Sequence, residues 1–199
     1  MNSLIKKLCD GYVIPAIRTA EDFQFALAHA NSPSLILLFG DILSLPGMLK
    51  QAQEAKKRVI VHLDLLSGIG KDKAGVKYLA QMGVNAIITT KTHLAKVAHQ
   101  EGVIVIQRLF LMDSEALRTG VNLLEAFKPD AIEVLPGSVP AVAVDKIIKA
   151  TGLPVLGGGL ISTVEDVNSA INNGICAVSS SERDLWNQCS LKGSARKNG

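Results

Sequence analysis

The sequence predicts an α/β protein folded as a compact, single-domain (β/α)8 barrel of the TIM type. Short apolar runs recur along the 199 residues, and segments with apolar residues at three- and four-residue spacing separate them. Hydrophobic residues make up 48% of the chain and aromatic residues only 4%, so Val, Ile, Leu and Ala must build the core, as they do around buried parallel strands. An open doubly wound sheet is the alternative, because a sequence does not reveal whether a sheet closes.

The order of the elements follows from these runs and the segments between them. The predicted strands are residues 12–17, 35–39, 59–63, 86–88, 103–106, 131–135, 154–156 and 175–178. The predicted helices are residues 21–30, 45–55, 73–82, 94–100, 114–127, 139–150, 164–172 and 182–188. Glycines at predicted helix ends favour the left-handed conformation that closes a helix: Gly83, Gly102, Gly152 and Gly174. About 200 residues is the lower end of the size range for this barrel.

One domain of residues 1–189 accounts for all of these elements. Residues 190–199 have no apolar periodicity, so we expect a disordered basic tail there. Cys9, Cys176 and Cys189 have neither metal-ligand spacing nor the pattern of a disulfide framework, which favours a reducing, cytoplasmic location and no metal site. No stretch reaches the ~20 apolar residues of a membrane span, and we expect no signal peptide and no membrane partner.

Two turns near the end of the sequence predict an anion site. Three glycines at 157–159 follow the seventh strand and precede a helix start, and three serines at 179–181 follow the eighth strand. Unpaired N–H groups at such turns, together with the positive end of a helix dipole, favour a phosphate group. The loops after strands seven and eight are where phosphate usually binds in this fold. Tight packing between strand and helix is the alternative explanation of the glycines.

Polar residues at the other strand ends predict the rest of the site, because the chemistry of this fold lies at the C-terminal ends of its strands. These residues are Arg18, His62, Asp64, Lys91, Arg108 and Glu133. Cations and N–H groups bind phosphate, while carboxylates and histidine accept hydroxyl protons, so the set suits a small hydroxylated phosphate ester. Structural ion pairs are the alternative for the acids and the arginines. A hydrogen-bonded barrel histidine and a Schiff-base lysine are the alternatives for His62 and Lys91.

The charge pattern permits contact with nucleic acid without requiring it. The formal net charge is +3. Lys56, Lys57 and Arg58 form a short basic cluster before the third strand, at the end of the barrel opposite the ligand. A solvated helix end and a nucleic-acid contact are both open for this cluster. No signature of a common RNA-binding domain is visible, and the few aromatic residues provide no stacking platform.

Seven segments between about residues 13 and 186 are more specific than the general pattern of strands and helices. They are VIPAIR (13–18), VHLDLLSGIGKDKAGVKYL (61–79), IITTK (87–91), IQRLFLMDSEAL (106–117), IEVLPG (132–137), GGGLISTVEDV (157–167) and AVSSSERDLW (177–186). The most specific parts are the His-x-Asp-Leu strand, the Gln-Arg-Leu-Phe run followed by Asp113, and the Leu-Pro-Gly turn. Together these segments resemble the glycerol-3-phosphate-responsive antiterminator family, the bacterial glycerol uptake operon antiterminator regulatory proteins.

The resemblance implies a TIM-type barrel that binds glycerol 3-phosphate, associates with the leader of glycerol-utilisation messenger RNA and lets transcription pass a terminator. Glycerol 3-phosphate would be an effector, with no cofactor or metal, and a homo-oligomer is left open. The glycerol end would meet Asp64, Arg108 and Glu133. The phosphate would bind at the two turns described above, at Gly158, Gly159, Leu160, Ser180 and Ser181.

Two hypotheses for function follow. In the first, the chain is a ligand-controlled regulator in which glycerol 3-phosphate orders the loops at 67–72 and 136–140 and so favours the state that holds RNA. In the second, it is an enzyme acting on a triose or glycerol phosphate, with Asp64 or Glu133 as general base and Lys91 or Arg108 as electrostatic partner. We expect the regulator, because no catalytic signature stands out and no catalytic residue is assigned.

Overall fold

The computed structural model describes residues 3–9 and 13–187. The strands are β1 (Val13–Ile17), β2 (Ser34–Leu37), β3 (Arg58–His62), β4 (Ala86–Thr89), β5 (Ile104–Phe110), β6 (Ala131–Leu135), β7 (Val155–Gly158) and β8 (Ala177–Ser180). The α-helices are α1 (Ser3–Cys9), α2 (Ala20–His29), α3 (Leu45–Glu54), α4 (Lys73–Gln81), α5 (Thr92–Gln100), α6 (Ser114–Ala126), α7 (Ala141–Thr151) and α8 (Val164–Asn172). Within these ranges, none of the helices has the length and apolar character needed to cross a bilayer.

The eight strands form one closed parallel barrel in sequence order. Closure is direct, because β8 pairs with β1 through Ile14 and Ser179 among other residues. The predicted (β/α)8 fold is therefore confirmed, and the open doubly wound sheet is excluded. The predicted tail at 190–199 lies outside the described residues, and the single domain of residues 1–189 stays a prediction.

Three differences from the predicted elements affect the two ends of the barrel. The sequence pattern gives no sign of α1, which precedes β1. β5 continues to Phe110 because β6 pairs with it as far as Leu135. The predicted α-helix at 182–188 is wrong over its described part, where a short 3-10 helix, Arg183–Leu185, forms instead. The reason is that the indole Nε1 of Trp186 donates to the carbonyl of Ser180 at 2.8 Å and turns the chain back against the barrel.

The barrel interior changes from apolar to polar along the strand direction. Its apolar part is a buried cluster of Ile, Leu and Ala side chains from all eight strands, and Ile5 and Leu8 of α1 pack into the same cluster at the N-terminal end. Side chains two residues apart on a strand share a face. The next inward positions therefore follow directly after this cluster, and they are polar: His62 after Ile60, Arg108 after Ile106, Glu133 after Ala131, and Ser179 after Ala177. The fold thus places polar groups at the C-terminal mouth.

Candidate functional site

A cavity of about 90 Å³, which we call the mouth cavity, lies at the C-terminal ends of the strands. Both predicted turns contribute to it, and so do two of the predicted arginines. The lining residues are Ala16, Arg18, Leu38, Arg108, Leu135, Gly159, Leu160, Ile161, Ser179, Ser180 and Ser181. Its lining of two arginines, three serines and glycine-turn backbone suits a small ligand with an anionic group.

The turn after β7 leaves backbone donors without partners. Gly159 has φ +68° and Leu160 has φ +55°, so two consecutive residues are left-handed. The carbonyl of Gly159 accepts the N–H of Gly137 at 3.1 Å. Among the described residues, no protein group accepts the N–H of Gly159 or Leu160. These two donors are available to a ligand in the mouth cavity.

The start of α8 contributes less to an anion site than the sequence suggests. Thr163 and Asp166 form a capping box, in which Thr163 Oγ1 accepts the N–H of Asp166 at 3.1 Å. Asp166 Oδ2 in turn accepts the N–H groups of Ser162 and Thr163 at 2.9 Å. These hydrogen bonds hold the pKa of Asp166 below its ordinary value. Because side chains already occupy these donors, the available N–H groups are those of the turn itself.

The turn after β8 is held to the turn after β7 by Ser180. Its hydroxyl is buried, donates to the carbonyl of Ile161 at 2.6 Å and accepts the N–H of Glu182 at 3.1 Å. Its carbonyl accepts the indole N–H of Trp186. No acceptor within the described ranges engages the N–H of Ser181. Ser180 therefore fixes the geometry, while Ser181 offers a free backbone donor.

Gly158 lies below the cavity, against a buried ion pair. Glu133 is 0% exposed, its Oε2 accepts Arg108 Nε at 2.7 Å and its Oε1 accepts Ser179 Oγ at 3.0 Å. A Cβ atom at Gly158 would lie 2.6 Å from Ser179 Oγ and 2.8 Å from Glu133 Oε1. The glycine is needed for this close approach, and Arg108 connects the ion pair to the mouth cavity.

His62 is a buried neutral base in the same polar part of the interior. It is 3% exposed, and its Nδ1 has no hydrogen-bond partner among the described residues. Burial, together with the positive charge of Arg108, lowers the pKa of His62 to about 4. The imidazole is therefore neutral at physiological pH. Depending on its tautomer, its Nδ1 can accept a hydrogen bond from a hydroxyl group or donate one to it.

Asp64 and Lys91 do not line the mouth cavity and belong to the neighbouring loops after β3 and β4. Asp64 accepts the hydroxyl of Thr89 and both the N–H and the hydroxyl of Thr90, each at 2.8 Å. Burial would raise the pKa of Asp64, but these hydrogen bonds outweigh it and hold the pKa below its ordinary value. Lys91 is exposed. Lys71 donates to the carbonyls of Leu63 and Leu66 and so fixes the loop that carries Asp64.

Four residues that shape the site were not singled out as site residues, although the predicted serine turn contains Ser179 and the predicted loops at 67–72 and 136–140 contain Lys71 and Gly137. Ser179 could have been found, because it lies two positions after the inward Ala177. Gly137, Lys71 and Trp186 act by donating hydrogen bonds to backbone carbonyls, and residue type does not indicate which carbonyl each one reaches. Among the described residues, no group of three or more His, Cys, Asp or Glu side chains could hold a metal ion.

The fold and this site define the class of protein: a closed parallel (β/α)8 barrel with a small cationic cavity at its C-terminal mouth. Residues 13–186 match the family model of the glycerol-3-phosphate responsive antiterminators. The chain belongs to that family. It is a family of regulators, so the expectation of a regulator rather than an enzyme is confirmed at this level.

Known relatives agree with this assignment. A solved glycerol uptake operon antiterminator regulatory protein from Listeria monocytogenes str. 4b F2365 is 35% identical, with a TM-score of 0.83 over 88% of this chain and 94% of that one. An antiterminator-related protein of the same operon type from Thermotoga maritima MSB8 is 29% identical, with a TM-score of 0.79 over 88% and 97%. The uncharacterized protein YgcP of Escherichia coli (strain K12) is 30% identical over 92% of this chain and 95% of its own length. A solved aldolase at 13% identity and a TM-score of 0.69 shares the fold alone.

Proposed function

We propose that this protein is a cytoplasmic regulator that binds glycerol 3-phosphate at its mouth cavity, associates with leader mRNA and promotes transcription antitermination of glycerol-utilisation genes. The observation that carries the proposal is the meeting of two turns and two arginines at one cavity. Family membership supplies the regulatory context.

The phosphate group binds at the upper part of the cavity. The N–H groups of Gly159, Leu160 and Ser181 supply three donors, and none of them has a protein acceptor among the described residues. Arg18 is exposed at the same cavity and adds a positive charge. Backbone donors with a nearby guanidinium are a combination that recognises a dianion. Gly158 contributes because its missing side chain leaves space for Ser179 and Glu133 below the cavity. Ser180 contributes through the hydrogen bond to Ile161 that joins the two turns.

The glycerol end of the ligand extends toward the polar interior. Arg108 lines the cavity and carries a guanidinium whose Nε is already paired with Glu133. The unpartnered Nδ1 of His62 suits a hydroxyl group of a polyol, and Glu133 acts from below by orienting Arg108. Asp64 and Lys91 lie outside the mouth cavity, and Asp64 acts by fixing the neighbouring loops through Thr89 and Thr90.

Leader mRNA as the partner is supported by the names of the relatives. The Listeria and Thermotoga proteins are named for antitermination at a glycerol uptake operon, and antitermination acts on a nascent transcript. A ligand that fixes the mouth loops changes RNA affinity only if it binds one conformational state better than the other. The coupling expected for such systems is about 5- to 150-fold in affinity.

Filter binding of the leader transcript, with and without glycerol 3-phosphate, tests the proposal. We expect the ester to change the RNA affinity of the unmodified protein by a factor in that range. Arg18→Gln should shift the response to higher ester concentration, while Arg118→Gln, on the exposed surface of α6, should leave it unchanged. Equal RNA affinity with and without the ester in the unmodified protein would contradict the proposal.

A further inference from the structure

A second and larger cavity lies at the opposite end of the barrel. It has a volume of about 540 Å³ and is formed by α3, the segment from α3 into β3, and the segment after α4. We call it the basic groove. It is lined by Pro46, Leu49, Lys50, Gln53, Lys56, Lys57, Arg58, Val59, Met82, Gly83 and Asn85. It is at the N-terminal end of the strands, away from the mouth cavity, because α3 and α4 end there and β3 begins there.

The basic groove concentrates positive charge. Lys50, Lys56, Lys57 and Arg58 contribute four cations, and no acidic residue is among the lining residues. The formal net charge of the whole chain is only +3, so the rest of the molecule is close to neutral. Within the part of the chain that the structure describes, none of these four side chains forms an ion pair within 4.0 Å. The groove lining is therefore a positive surface with no carboxylate among its residues.

Two of the four cations are held by the fold, and two extend to solvent. Lys57 Nζ donates to the carbonyls of Ala30 and Ser32 at 2.5 and 2.6 Å, and Arg58 Nη1 donates to the carbonyl of Lys7 at 3.1 Å. These hydrogen bonds fix the positions of both side chains. Lys50 and Lys56 are exposed. Their ammonium groups are the accessible ones.

The backbone of Lys56 provides an independent sign of function. Lys56 has φ +55°, a left-handed conformation that favours glycine. Glycine fills the corresponding position after α4, α5 and α8, at Gly83, Gly102 and Gly174, and it fills the C-cap of α7, one residue earlier, at Gly152. After α3, Lys56 occupies this position. Strained non-glycine residues cluster at functional sites, so the left-handed Lys56 is consistent with a role for its side chain in the groove.

We propose that the basic groove binds the phosphodiester backbone of the leader RNA. This inference rests on the proposed function, in which RNA is the partner, and adds the surface that contacts it. Multiple lysines and arginines without acidic neighbours bind nucleic acid through its phosphates, independently of sequence and with strong dependence on salt. Because the groove and the mouth cavity are at opposite ends of the barrel, the groove supplies affinity and the mouth supplies the response to the ester.

Fluorescence anisotropy of a labelled leader transcript tests the groove. The variant Lys50→Gln/Lys56→Gln removes the two accessible charges. The control Lys128→Gln/Lys149→Gln removes two exposed charges near the ends of α6 and α7, which are farther around the barrel. We expect the groove variant to bind RNA at least tenfold more weakly, with the log–log salt slope reduced by about 1.4 for a single-stranded contact. The control should bind as the unmodified protein does, and the factor by which the ester changes RNA affinity should be the same in all three proteins.

A single-residue variant separates charge from folding. Lys56→Gly relieves the left-handed lysine, so we expect a higher unfolding temperature together with weaker RNA binding. Loss of RNA affinity with gain of stability supports the groove. If the unmodified protein binds the transcript and both groove variants bind it equally well, the groove proposal is wrong and the proposed function stands. If the unmodified protein fails to bind the transcript with and without the ester, both are wrong.

Discussion

Arg108 and Glu133 are directly paired neighbours on β5 and β6, and Arg108 Nε lies 2.7 Å from Glu133 Oε2 inside the barrel. The glutamate side chain is 0% exposed and the arginine side chain 10% exposed. A buried charge is tolerated only when a partner and further hydrogen bonds compensate it, and here Ser179 supplies one of them. Arg108 also lines the mouth cavity, so the same side chain compensates a buried charge and shapes the candidate site.

Removing one partner of this pair should cost more stability than removing both. Arg108→Leu leaves Glu133 buried without its cation, and we expect a loss of about 3–5 kcal/mol in the free energy of unfolding. The double variant Arg108→Leu/Glu133→Leu leaves no uncompensated charge and should lose less. Urea unfolding of the three proteins measures this difference. If the free energy of unfolding of Arg108→Leu is within about 0.5 kcal/mol of that of the unmodified protein, the two charges are not coupled in the folded state.

Adding one carbon atom at Gly158 should lower the stability of the protein. The Cβ of Gly158→Ala would approach Ser179 Oγ and Glu133 Oε1 to less than 3.0 Å, and such overpacking costs about 1–3 kcal/mol. Gly47→Ala is the matched control, because nothing lies within 4 Å of its added carbon and alanine favours a helix. We expect the control to be neutral or up to about 1 kcal/mol more stable by thermal unfolding. Equal stability of the two variants would contradict the packing described around Glu133.

The two neighbouring serines should respond differently to the same substitution. Ser180→Ala removes a hydroxyl that bonds to Ile161 and Glu182, so we expect a loss of about 1–3 kcal/mol and weaker binding of glycerol 3-phosphate. Ser181→Ala keeps the backbone N–H, and ligand affinity should be unchanged. Calorimetric titration of both variants measures the affinities. A loss of binding in Ser181→Ala would assign the contact to the hydroxyl and contradict the backbone donor.

Stability should fall in mildly acidic solution because of His62. Its pKa is about 4 in the folded protein and about 6.5 when unfolded, so the unfolded state binds the proton first as the pH decreases. The contribution is complete above pH 6.5 and is lost as the pH falls toward 4. Between pH 7 and 4.5 the loss is about 2–3 kcal/mol. Urea unfolding at the two pH values measures this loss in free energy of unfolding. We expect His62→Gln to lose less than the unmodified protein. An equal loss in both proteins would exclude His62 as the cause.

The fold was largely predictable because the strands are short, apolar and separated by regular helical patterns. The boundaries of β6 and α8 match the prediction, whereas β5 extends to Phe110 because pairing with β6, a tertiary contact, lengthens it. α1 packs Ile5 and Leu8 into the barrel end, which no local pattern reveals. The predicted helix at 182–188 fails in its described part because Trp186 is fixed by a contact with Ser180.

The site was predictable in its location and less so in its internal roles. Strand ends and the two turns indicated the residues around the mouth, because parallel strands in this fold share one functional end. Which polar groups are already hydrogen-bonded, and which are free to contact a ligand, depends on hydrogen bonds between segments that are distant in sequence. The hydroxyl of Ser180 is used by Ile161, and the carboxylate of Asp64 by Thr89 and Thr90, so side-chain type alone did not show which groups are free.

A thermal-unfolding titration tests the central claim that the mouth cavity binds a phosphate ester of glycerol. The protein is titrated with glycerol 3-phosphate, glycerol and inorganic phosphate in separate series. At 100 times the dissociation constant, a ligand specific to the folded state adds about 2.7 kcal/mol, which corresponds to a rise of about 5–10 °C in unfolding temperature for a protein of this size. We predict this rise for glycerol 3-phosphate at concentrations where glycerol and phosphate have little effect. The same unfolding temperature with all three compounds as without them would contradict the claim.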